Sequence, residues 1–307
     1  MADYFNVEVG QGIHAASGNW YSCVQHLGTG GNAVTFLVLA TSGPHEGVFF
    51  ALKVFRKLSQ PARRDRFLQE VGFLLGANHP ALMRVYDSGV FRVGKSEFPF
   101  VVAEYLPQRL YEVIRAGQTT IAQKISYAMQ LLSALAYLNA LQPKVIHRDI
   151  KPQNIFVKGR SCVLGDFGLM KLIDGEVEQD REMFRESVGP GMPFFYRTPD
   201  LVAYARNEAD LTTTKTDVFQ LGLVLVELFT GRNPAKRPAN DDPLAPLELE
   251  PIGIIPGGMS NSILPLLNRM LIWDPPGRPE AVSLLDPWQG VFRTAAERAH
   301  ALEGKVI

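Results

Sequence analysis

The spacing of the apolar residues changes near Leu106–Pro107, and this change constrains the fold more than any other feature of the sequence. Before it, short segments rich in β-branched and aromatic residues alternate with Gly- and Pro-containing turns, a pattern typical of strands. We expect strands at Tyr21–Leu27, Val34–Ala40, Val48–Phe55, Leu82–Val90 and Phe98–Glu104, and a helix at Arg63–Leu75. After it, apolar residues recur at helical spacing. The clearest stripe is formed by Ile121, Ile125, Ala128, Met129, Leu132 and Leu135.

This pattern predicts an α+β fold with a small antiparallel β-sheet lobe, a larger mainly helical lobe and a ligand-binding cleft between them. The segment from Asp217 to Phe229 is apolar nearly all round, so we expect it to be a helix buried in the second lobe. We place an N-terminal extension at residues 1–20, the first lobe at 21–106, the second lobe at 107–290 and a C-terminal tail at 291–307.

Charge and cysteine content argue against several classes of function. The 307 residues include 31 Lys and Arg and 31 Asp and Glu, so the formal net charge is zero. Binding to nucleic acid or to an anionic membrane through bulk charge requires a basic chain, so neither is an expected partner. The two cysteines are too few for a disulfide scaffold, and neither a secretory signal nor a membrane span is visible. We therefore expect a cytoplasmic protein.

The strongest chemical signal is the run HRDIKPQN, from His147 to Asn154, which is followed shortly by Asp166–Phe167–Gly168. Aspartate and asparagine oxygens are hard ligands suited to Mg²⁺, and one further carboxylate would be free to act as a base. Either segment alone could be a polar loop that ends a strand. That interpretation does not explain both segments in this order.

The two motifs resemble those of the eukaryotic-type protein kinases, and HRDIKPQN is similar to the catalytic loop of their Ser/Thr branch. The resemblance extends from about Leu27 to Arg278. It implies the bilobal protein-kinase-like fold, ATP and Mg²⁺ as cofactors, and protein substrates, with the chain itself as one candidate.

The resemblance also assigns roles within these motifs. It casts Asp149 as the acceptor of the substrate hydroxyl proton and Lys151 as a contact to the transferred phosphoryl group. Asn154 and Asp166 would hold Mg²⁺ against the nucleotide phosphates. The presence of Lys151 favours Ser or Thr over Tyr as the substrate residue.

Lys53 and Glu70 each stand in apolar surroundings, so each requires a counter-charge. Lys53 lies in the strand-like run Phe49–Phe55, where an unpaired ammonium is costly, although an edge lysine that extends to solvent is the alternative. Glu70 falls on the apolar stripe of the following helix. Pairing the two satisfies both demands, and the resemblance assigns this pair to positioning the nucleotide phosphates.

A glycine-rich segment before Lys53 resembles the loop that covers the phosphates, although a hairpin turn without function is the alternative. Its glycines would let backbone N–H groups approach phosphate oxygens. Ala33 stands where a third glycine is usual, and Thr35 stands where a valine is usual. The resemblance predicts nucleotide contacts from Leu27, Gly28, Gly30, Gly31, Thr35, Ala51, Lys53, Glu104, Leu106 and Phe156.

The stretch Phe100–Leu106 resembles the segment that binds the adenine edge, here through the main chain of Glu104 and Leu106. An ordinary edge strand that enters a linker would have the same sequence. Small Ala103, at the position that controls a rear pocket, predicts tolerance of bulky adenine-site inhibitors.

Further residues are assigned by the same resemblance. Asp200 corresponds to the acid that ends the activation segment and is paired with a late arginine, here Arg278. Since Asp is one methylene shorter than the usual Glu, we expect this pair to be strained or water-bridged. Asp217 corresponds to the acid that braces the catalytic-loop backbone. Met192 replaces the usual threonine that contacts the catalytic residues, so peptide specificity is not carried over.

Arg148 precedes the catalytic aspartate, an arrangement that in the family often binds a phosphate on the activation segment. Ser187 is the one hydroxyl-bearing Ser or Thr between Leu169 and Arg197. We hypothesise that Glu182 or Glu186 satisfies Arg148, so that the protein is active without phosphorylation. A Ser187→Ala variant is then expected to keep its turnover to within about tenfold, or about 1.4 kcal/mol in the barrier.

The sequence thus predicts an ATP- and Mg²⁺-dependent protein kinase acting on Ser or Thr. One alternative is a pseudokinase scaffold that binds nucleotide without efficient transfer, suggested by Thr35, Met192 and Asp200. Another is a protein-kinase-like enzyme that phosphorylates a small molecule.

Overall fold

The computed structural model describes residues 7–173, 181–182, 184, 194–209, 212–238, 242 and 244–303. The chain divides into two compact units, one containing the residues up to Asn78 together with Leu82–Pro107, the other containing His79–Ala81 and the residues from Gln108 onwards. An antiparallel sheet dominates the first unit and helices dominate the second, so the predicted α+β fold is confirmed.

The first unit is built on an antiparallel sheet with the strand order β1-β2-β3-β4-β6-β5. Its strands are β1 (Gly12–His14), β2 (Trp20–Thr29), β3 (Ala33–Ala40), β4 (Phe49–Phe55), β5 (Val85–Val93) and β6 (Ser96–Glu104). Helix α1 covers Pro61–Gly76. The predicted strands and helix are all present, with ends shifted by a few residues. One face of the sheet is a closed core that includes Val34, Phe36, Val38, Leu52, Val54, Phe100 and Val102.

Strand β1 was not expected, because the sequence analysis places residues 1–20 outside the first lobe. It pairs antiparallel with β2. The turn between them is attached to β5 through the buried carboxylate of Asp87, which accepts hydrogen bonds from Asn19 Nδ2 at 3.1 Å, Tyr21 Oη at 3.2 Å and the Ser17 hydroxyl. Burial, with a further contribution from Asp87, raises the pKa of Tyr21 to about 12. The sheet therefore begins before residue 21.

The second unit contains helices and short strand pairs. The helices are α2 (Leu110–Ala116), α3 (Ile121–Ala140), α4 (Pro199–Ala205), α5 (Thr214–Thr230), α6 (Ser260–Met270) and α7 (Ala281–Glu303). The strands are β7 (Gln108–Arg109), β8 (Val145–Ile146), β9 (Ile155–Lys158), β10 (Ser161–Leu164) and β11 (Lys171–Leu172). Helix α5 is buried along almost all its length, as its apolar sequence predicts, and ends at Gly231, whose φ of 78° is left-handed. Helix α3 packs against both α5 and α7.

Helix α7 extends from Ala281 to Glu303 and includes Pro287, so residues from 291 onwards, which were expected to form a C-terminal tail, continue this helix. Trp288 is fully buried and stacks on Phe229 with ring centroids 5.7 Å apart. None of the helices within the described ranges combines the length and apolar character that a bilayer span requires.

Candidate active site

The loop between β8 and β9 places Asp149 between two donors. Lys151 Nζ lies 2.9 Å and 2.8 Å from the two carboxylate oxygens. Asn154 Nδ2 donates to Asp149 Oδ2 at 2.7 Å and to the Asp149 main-chain oxygen at 2.9 Å. The Asp149 side chain is 13% exposed. The structure thus brings Asp149, Lys151 and Asn154 into direct contact.

The pKa of Asp149 is raised to about 6, chiefly because burial penalises the charged carboxylate. The nearby charge of Asp166 raises it further, whereas Lys151 and Asn154 oppose the shift. A carboxylate whose pKa is close to neutral is better suited to accept a proton and release it again than one of ordinary acidity.

The backbone of this loop is held by two side chains from α5. Asp217 accepts hydrogen bonds from the amides of His147 at 2.8 Å and Arg148 at 2.9 Å. Gln220 accepts from the Ile150 amide at 3.0 Å and donates to the Arg148 carbonyl at 3.1 Å. Burial raises the pKa of Asp217 to about 7, and the two amide donors oppose that shift. Sequence reasoning found Asp217 by resemblance but missed Gln220, whose signal is a polar residue three positions after Asp217 on an otherwise apolar helix.

Arg148 and Asp166 both adopt left-handed backbone conformations, with φ of 63° and 58°. A non-glycine residue there costs of order 1–3 kcal/mol, so the surroundings must enforce it. For Arg148, two hydrogen bonds do so: its amide donates to Asp217, and its carbonyl accepts from Gln220. For Asp166, the preceding Gly165 amide donates to the Asn154 carbonyl at 2.9 Å, which fixes the segment that carries Asp166 beside Asn154.

His147 joins these two segments. Its Nε2 lies 3.1 Å from the Gly165 carbonyl, while its Nδ1 lies 3.3 Å from the Asp149 amide. These partners assign a neutral ring that donates from Nε2 and accepts at Nδ1. Burial lowers the pKa of His147 to about 4, and the ring packs edge-on against Phe167 with centroids 4.5 Å apart.

The predicted Mg²⁺ ligands suit that ion. Because the Asn154 amide nitrogen donates to Asp149, its Oδ1 is the atom directed to other partners, and Asp166 supplies an exposed carboxylate on the adjoining segment. Within the described ranges no group of three or more His, Cys, Asp or Glu side chains could hold a metal. Two hard oxygen ligands fit Mg²⁺, which typically takes one or two protein oxygens, with substrate phosphates and water completing its shell.

In the first unit, Lys53 and Glu70 form an ion pair. Lys53 Nζ lies 3.0 Å from Glu70 Oε1, with the side chains 28% and 5% exposed. Lys53 comes from β4, and Glu70 comes from the buried face of α1, which it shares with Phe67. The pair therefore connects the centre of the sheet to the helix.

Strand register places several predicted nucleotide contacts on one face of this sheet. Thr35 is paired with Gly28 on β2 and with Lys53 on β4, and Ala51 is paired with Ala103 on β6. Because side chains alternate along a strand, Thr35, Ala51 and Lys53 lie on the same face, opposite the closed core, and all are half-buried.

The glycine-rich segment leaves open space around its backbone. A Cβ added at Gly28 or Gly31 would meet no atom within 4 Å, and one at Gly30 would approach only the Ala33 carbonyl, at 3.6 Å. Leu27, which precedes it, is exposed.

The segment that resembles the adenine-binding strand ends the first unit. The Glu104 amide donates to the Arg84 carbonyl at 2.9 Å, and Leu106, two residues further on, is buried. Phe156 belongs to the second unit, where it is half-buried on β9 with the Arg109 guanidinium 5.8 Å from its ring centroid.

Comparison with known proteins decides the family. The family model described as the protein kinase domain matches residues 21–288 of this chain. The chain belongs to the protein kinase family. The match includes the catalytic loop of the second unit and the Lys53–Glu70 pair of the first.

Curated relatives of this kinase domain include proteins named as serine/threonine kinases and a protein named as a tyrosine kinase. A probable serine/threonine-protein kinase of Dictyostelium discoideum is 32% identical over 197 residues, which are 62% of this chain and 11% of that protein. A probable serine/threonine protein kinase of Arabidopsis thaliana is 30% identical over 261 residues, 76% of this chain and 24% of that protein. A tyrosine-protein kinase of Spongilla lacustris is 27% identical over 240 residues, 76% of this chain and 67% of that protein. The kinase domain thus spans a tenth to a quarter of the first two relatives.

The Asp200–Arg278 pair of the kinase domain is direct. Arg278 Nη2 lies 2.8 Å from Asp200 Oδ1, and both side chains are almost fully buried. The Thr216 hydroxyl donates to the other carboxylate oxygen. Of the two expectations for this pair, the water bridge is wrong, because the guanidinium reaches the shorter side chain directly, and the expected strain stays a prediction.

Arg148 of the kinase domain is buried, and its described contacts are with main chain and an aromatic ring. Its Nε donates to the Leu169 carbonyl at 2.8 Å, and its guanidinium lies 4.9 Å from the ring centroid of Phe184. Glu182 is exposed. Glu186, Ser187 and Met192 lie outside the described residues, so the hypothesis that a carboxylate satisfies Arg148 stays a prediction.

Proposed function

We propose that this protein is an ATP- and Mg²⁺-dependent kinase that transfers the γ-phosphoryl group to Ser or Thr hydroxyls of protein substrates, itself included, in the cytoplasm. The observation that carries the proposal is the setting of Asp149, a buried carboxylate with a pKa of about 6 held between Lys151 and Asn154.

In this proposal, Asp149 accepts the substrate hydroxyl proton as the substrate oxygen forms its bond to the γ-phosphorus. The bond from that phosphorus to the oxygen bridging the β- and γ-phosphates breaks, and ADP leaves with the electron pair. Lys151 keeps Asp149 oriented and places positive charge beside the transferred group. Catalysis then rests on positioning and charge stabilisation.

Asn154 and Asp166 would hold Mg²⁺, which supplies positive charge to neutralise the nucleotide phosphates. Lys53, positioned by Glu70, would contact those phosphates, with the open glycine-rich segment covering them. Thr35, Ala51, Leu27, Phe156 and the main chain of Glu104 and Leu106 would contact the remaining part of the nucleotide.

Preference for Ser or Thr is supported by Lys151, which contacts the base directly, and by the two serine/threonine-kinase relatives. Because the chain is also similar to a tyrosine kinase, the experiment must identify which amino acid accepts the phosphoryl group. The retained base and both proposed metal ligands favour transfer over a scaffold that only binds nucleotide.

The test combines purified protein with γ-labelled ATP, Mg²⁺, a mixture of protein substrates and a mixture of small metabolites, followed by identification of the labelled amino acid or metabolite. We expect phosphoserine or phosphothreonine from the wild type. Asp149→Asn should lower transfer by about 10³-fold, within the range for general bases, while nucleotide affinity changes by less than about twofold.

Other outcomes overturn the proposal in distinguishable ways. Nucleotide binding without transfer would support a scaffold, label found only on added metabolites would support a small-molecule kinase, and phosphotyrosine would reverse the assigned acceptor. Equal transfer by wild type and Asp149→Asn would remove Asp149 from the mechanism.

A further inference from the structure

The tip of the glycine-rich segment, residues Gly30–Asn32, has open space around its glycine backbone. A Cβ at Gly31 would touch nothing within 4 Å, and within the tip the Gly30 amide donates to the Ala33 carbonyl at 2.8 Å. Glycine-rich backbone is also costly to order, because it gives up more conformational freedom than other residues. Contacts from elsewhere in the unit must therefore set where this tip lies.

Two arginines supply such contacts. Arg56 Nη2 donates to the Gly30 carbonyl at 3.1 Å, and the Arg56 amide donates to the Asn32 carbonyl at 3.0 Å. Arg63 Nη1 donates to Asn32 Oδ1 at 2.8 Å. The last contact joins two side chains, so it depends on the residue types at both positions, whereas any residue could provide the amide at position 56.

The two arginines lie on the elements that carry the Lys53–Glu70 pair. Arg56 follows the end of β4, three residues after Lys53. Arg63 lies in the first turn of α1, seven residues before Glu70. Seven residues are almost two full helical turns, so Arg63 and Glu70 project from the same side of α1, about 10 Å apart along its axis.

The start of α1 has little local support of its own. Its N-cap residue, Gln60, makes no side-chain capping hydrogen bond, and its first turn contains no acidic residue to interact with the helix dipole. The bond from Arg63 to Asn32 therefore also limits the position of this helix end.

We propose that Asn32 and Arg63 are positioning residues for nucleotide binding. Their hydrogen bond fixes the glycine-rich tip relative to α1, so that the tip and Lys53, which is paired with Glu70, contact the phosphates of the same nucleotide. This inference rests on the proposed ATP-dependent function. Its specific consequence is that the contact affects affinity for the phosphates and not affinity for the nucleoside.

The experiment measures dissociation constants for Mg²⁺·ATP and for adenosine by calorimetry, together with kcat and KM for ATP. Asn32→Ala and Arg63→Met are each expected to weaken ATP binding and raise its KM by about tenfold, with adenosine affinity within twofold of wild type. Since both remove the same bond, the double variant should be no worse than about twofold beyond either single variant. Arg63→Lys, which keeps the charge but not the planar donor, should give an intermediate loss.

Arg64→Met is the matched control, because the side chain of the adjacent Arg64 makes no hydrogen bond or ion pair among the residues that the structure describes, while the hydrogen bond from its amide to the Gln60 carbonyl is kept in any variant other than proline. It should leave both dissociation constants unchanged. Thermal unfolding of each variant reports whether the first unit is intact.

Losses of ATP and adenosine affinity to the same extent, additive effects of the two substitutions, or wild-type ATP affinity in both variants would each overturn the inference. All three outcomes would leave the proposed function standing as long as the wild type binds ATP and transfers phosphate. A wild type that binds no ATP would instead overturn the proposed function itself.

Discussion

The catalytic loop of the second unit and the Lys53–Glu70 pair of the first unit are held in place by different kinds of contact. Three main-chain amides of the loop, those of His147, Arg148 and Ile150, donate to side chains of the buried helix α5. Lys53 forms its ion pair through a partly exposed side chain, with a residue of a helix whose start has no side-chain cap, and its ammonium lies 5.9 Å from the Phe67 ring centroid. The difference indicates that buried main-chain hydrogen bonds fix the proposed base, whereas the position of Lys53 depends on side-chain contacts.

The largest effect is expected from Asp217→Ala. It leaves two buried amides without their acceptor, each costing about 1–3 kcal/mol, and it releases the left-handed conformation of Arg148. We expect the free energy of unfolding, measured in urea, to fall by about 4 kcal/mol and transfer to be lost as well.

Asp217→Asn is the matched control for that substitution. It keeps one oxygen acceptor in the same place, so its loss of stability should lie between wild type and Asp217→Ala. A loss below about 1 kcal/mol in the alanine variant would show that the loop does not depend on α5.

A smaller effect on stability and a distinct effect on activity are expected from Lys53→Met. Because Lys53 is partly exposed but Glu70 is buried, loss of the lysine should lower the free energy of unfolding by about 2 kcal/mol. Loss of one preorganised positive charge should reduce transfer by about 100-fold, measured as initial rate with labelled ATP.

The exposed pair Arg92–Glu97, with Arg92 Nε 3.0 Å from Glu97 Oε1, supplies the control in the same unit. Arg92→Met should change neither quantity measurably. If Lys53→Met destabilised the protein as much as Asp217→Ala, the contrast between the two regions would disappear.

A third effect, on stability alone, is a pH dependence that originates in the catalytic loop. The pKa of His147 is about 4 in the folded protein and about 6.5 in an unfolded chain. Between these values the unfolded chain binds the proton and the folded protein does not, so the stability from a neutral His147 is full above pH 6.5 and is lost as pH falls toward 4. At pH 5 this loss is about 2 kcal/mol.

The pKa values of Asp149 and Asp217 are raised in the folded protein, so these two carboxyl groups change the stability with pH in the direction opposite to His147. The charges of Asp166 and Lys151 also act on the pKa of His147. The measurement is therefore the difference in unfolding free energy between wild type and His147→Gln at pH 8 and at pH 5. That difference should shrink by about 2 kcal/mol at pH 5. A difference independent of pH would show that His147 takes up its proton normally in the folded protein.

Local chemistry predicted part of this molecule. An ammonium in an apolar strand and a carboxylate on an apolar helix stripe both require a partner, and Lys53 and Glu70 lie 3.0 Å apart. The strands and α5 follow from the spacing of their apolar residues, since a buried face leaves a clear periodic pattern.

Features that depend on tertiary contacts were not predictable in this way. Strand β1 has three residues, too few for a periodic pattern, and exists because β2 offers it an edge. Helix α7 continues past Pro287, and its Trp288 stacks on Phe229, a contact between distant segments. Gln220 gave only the signal of one polar residue on an apolar helix, and its two loop partners lie 70 and 72 positions away.

The carboxylate of Asp87 has a practical consequence for where the folding unit starts. The family match begins at residue 21, but a fragment cut there would lose β1 and two of the side chains that donate to Asp87, those of Ser17 and Asn19. A negative charge would stay buried with fewer donors, and β2 would become an open sheet edge able to pair with another molecule. The first residue of the family match and the first residue of the sheet are therefore different, and recombinant fragments should include β1.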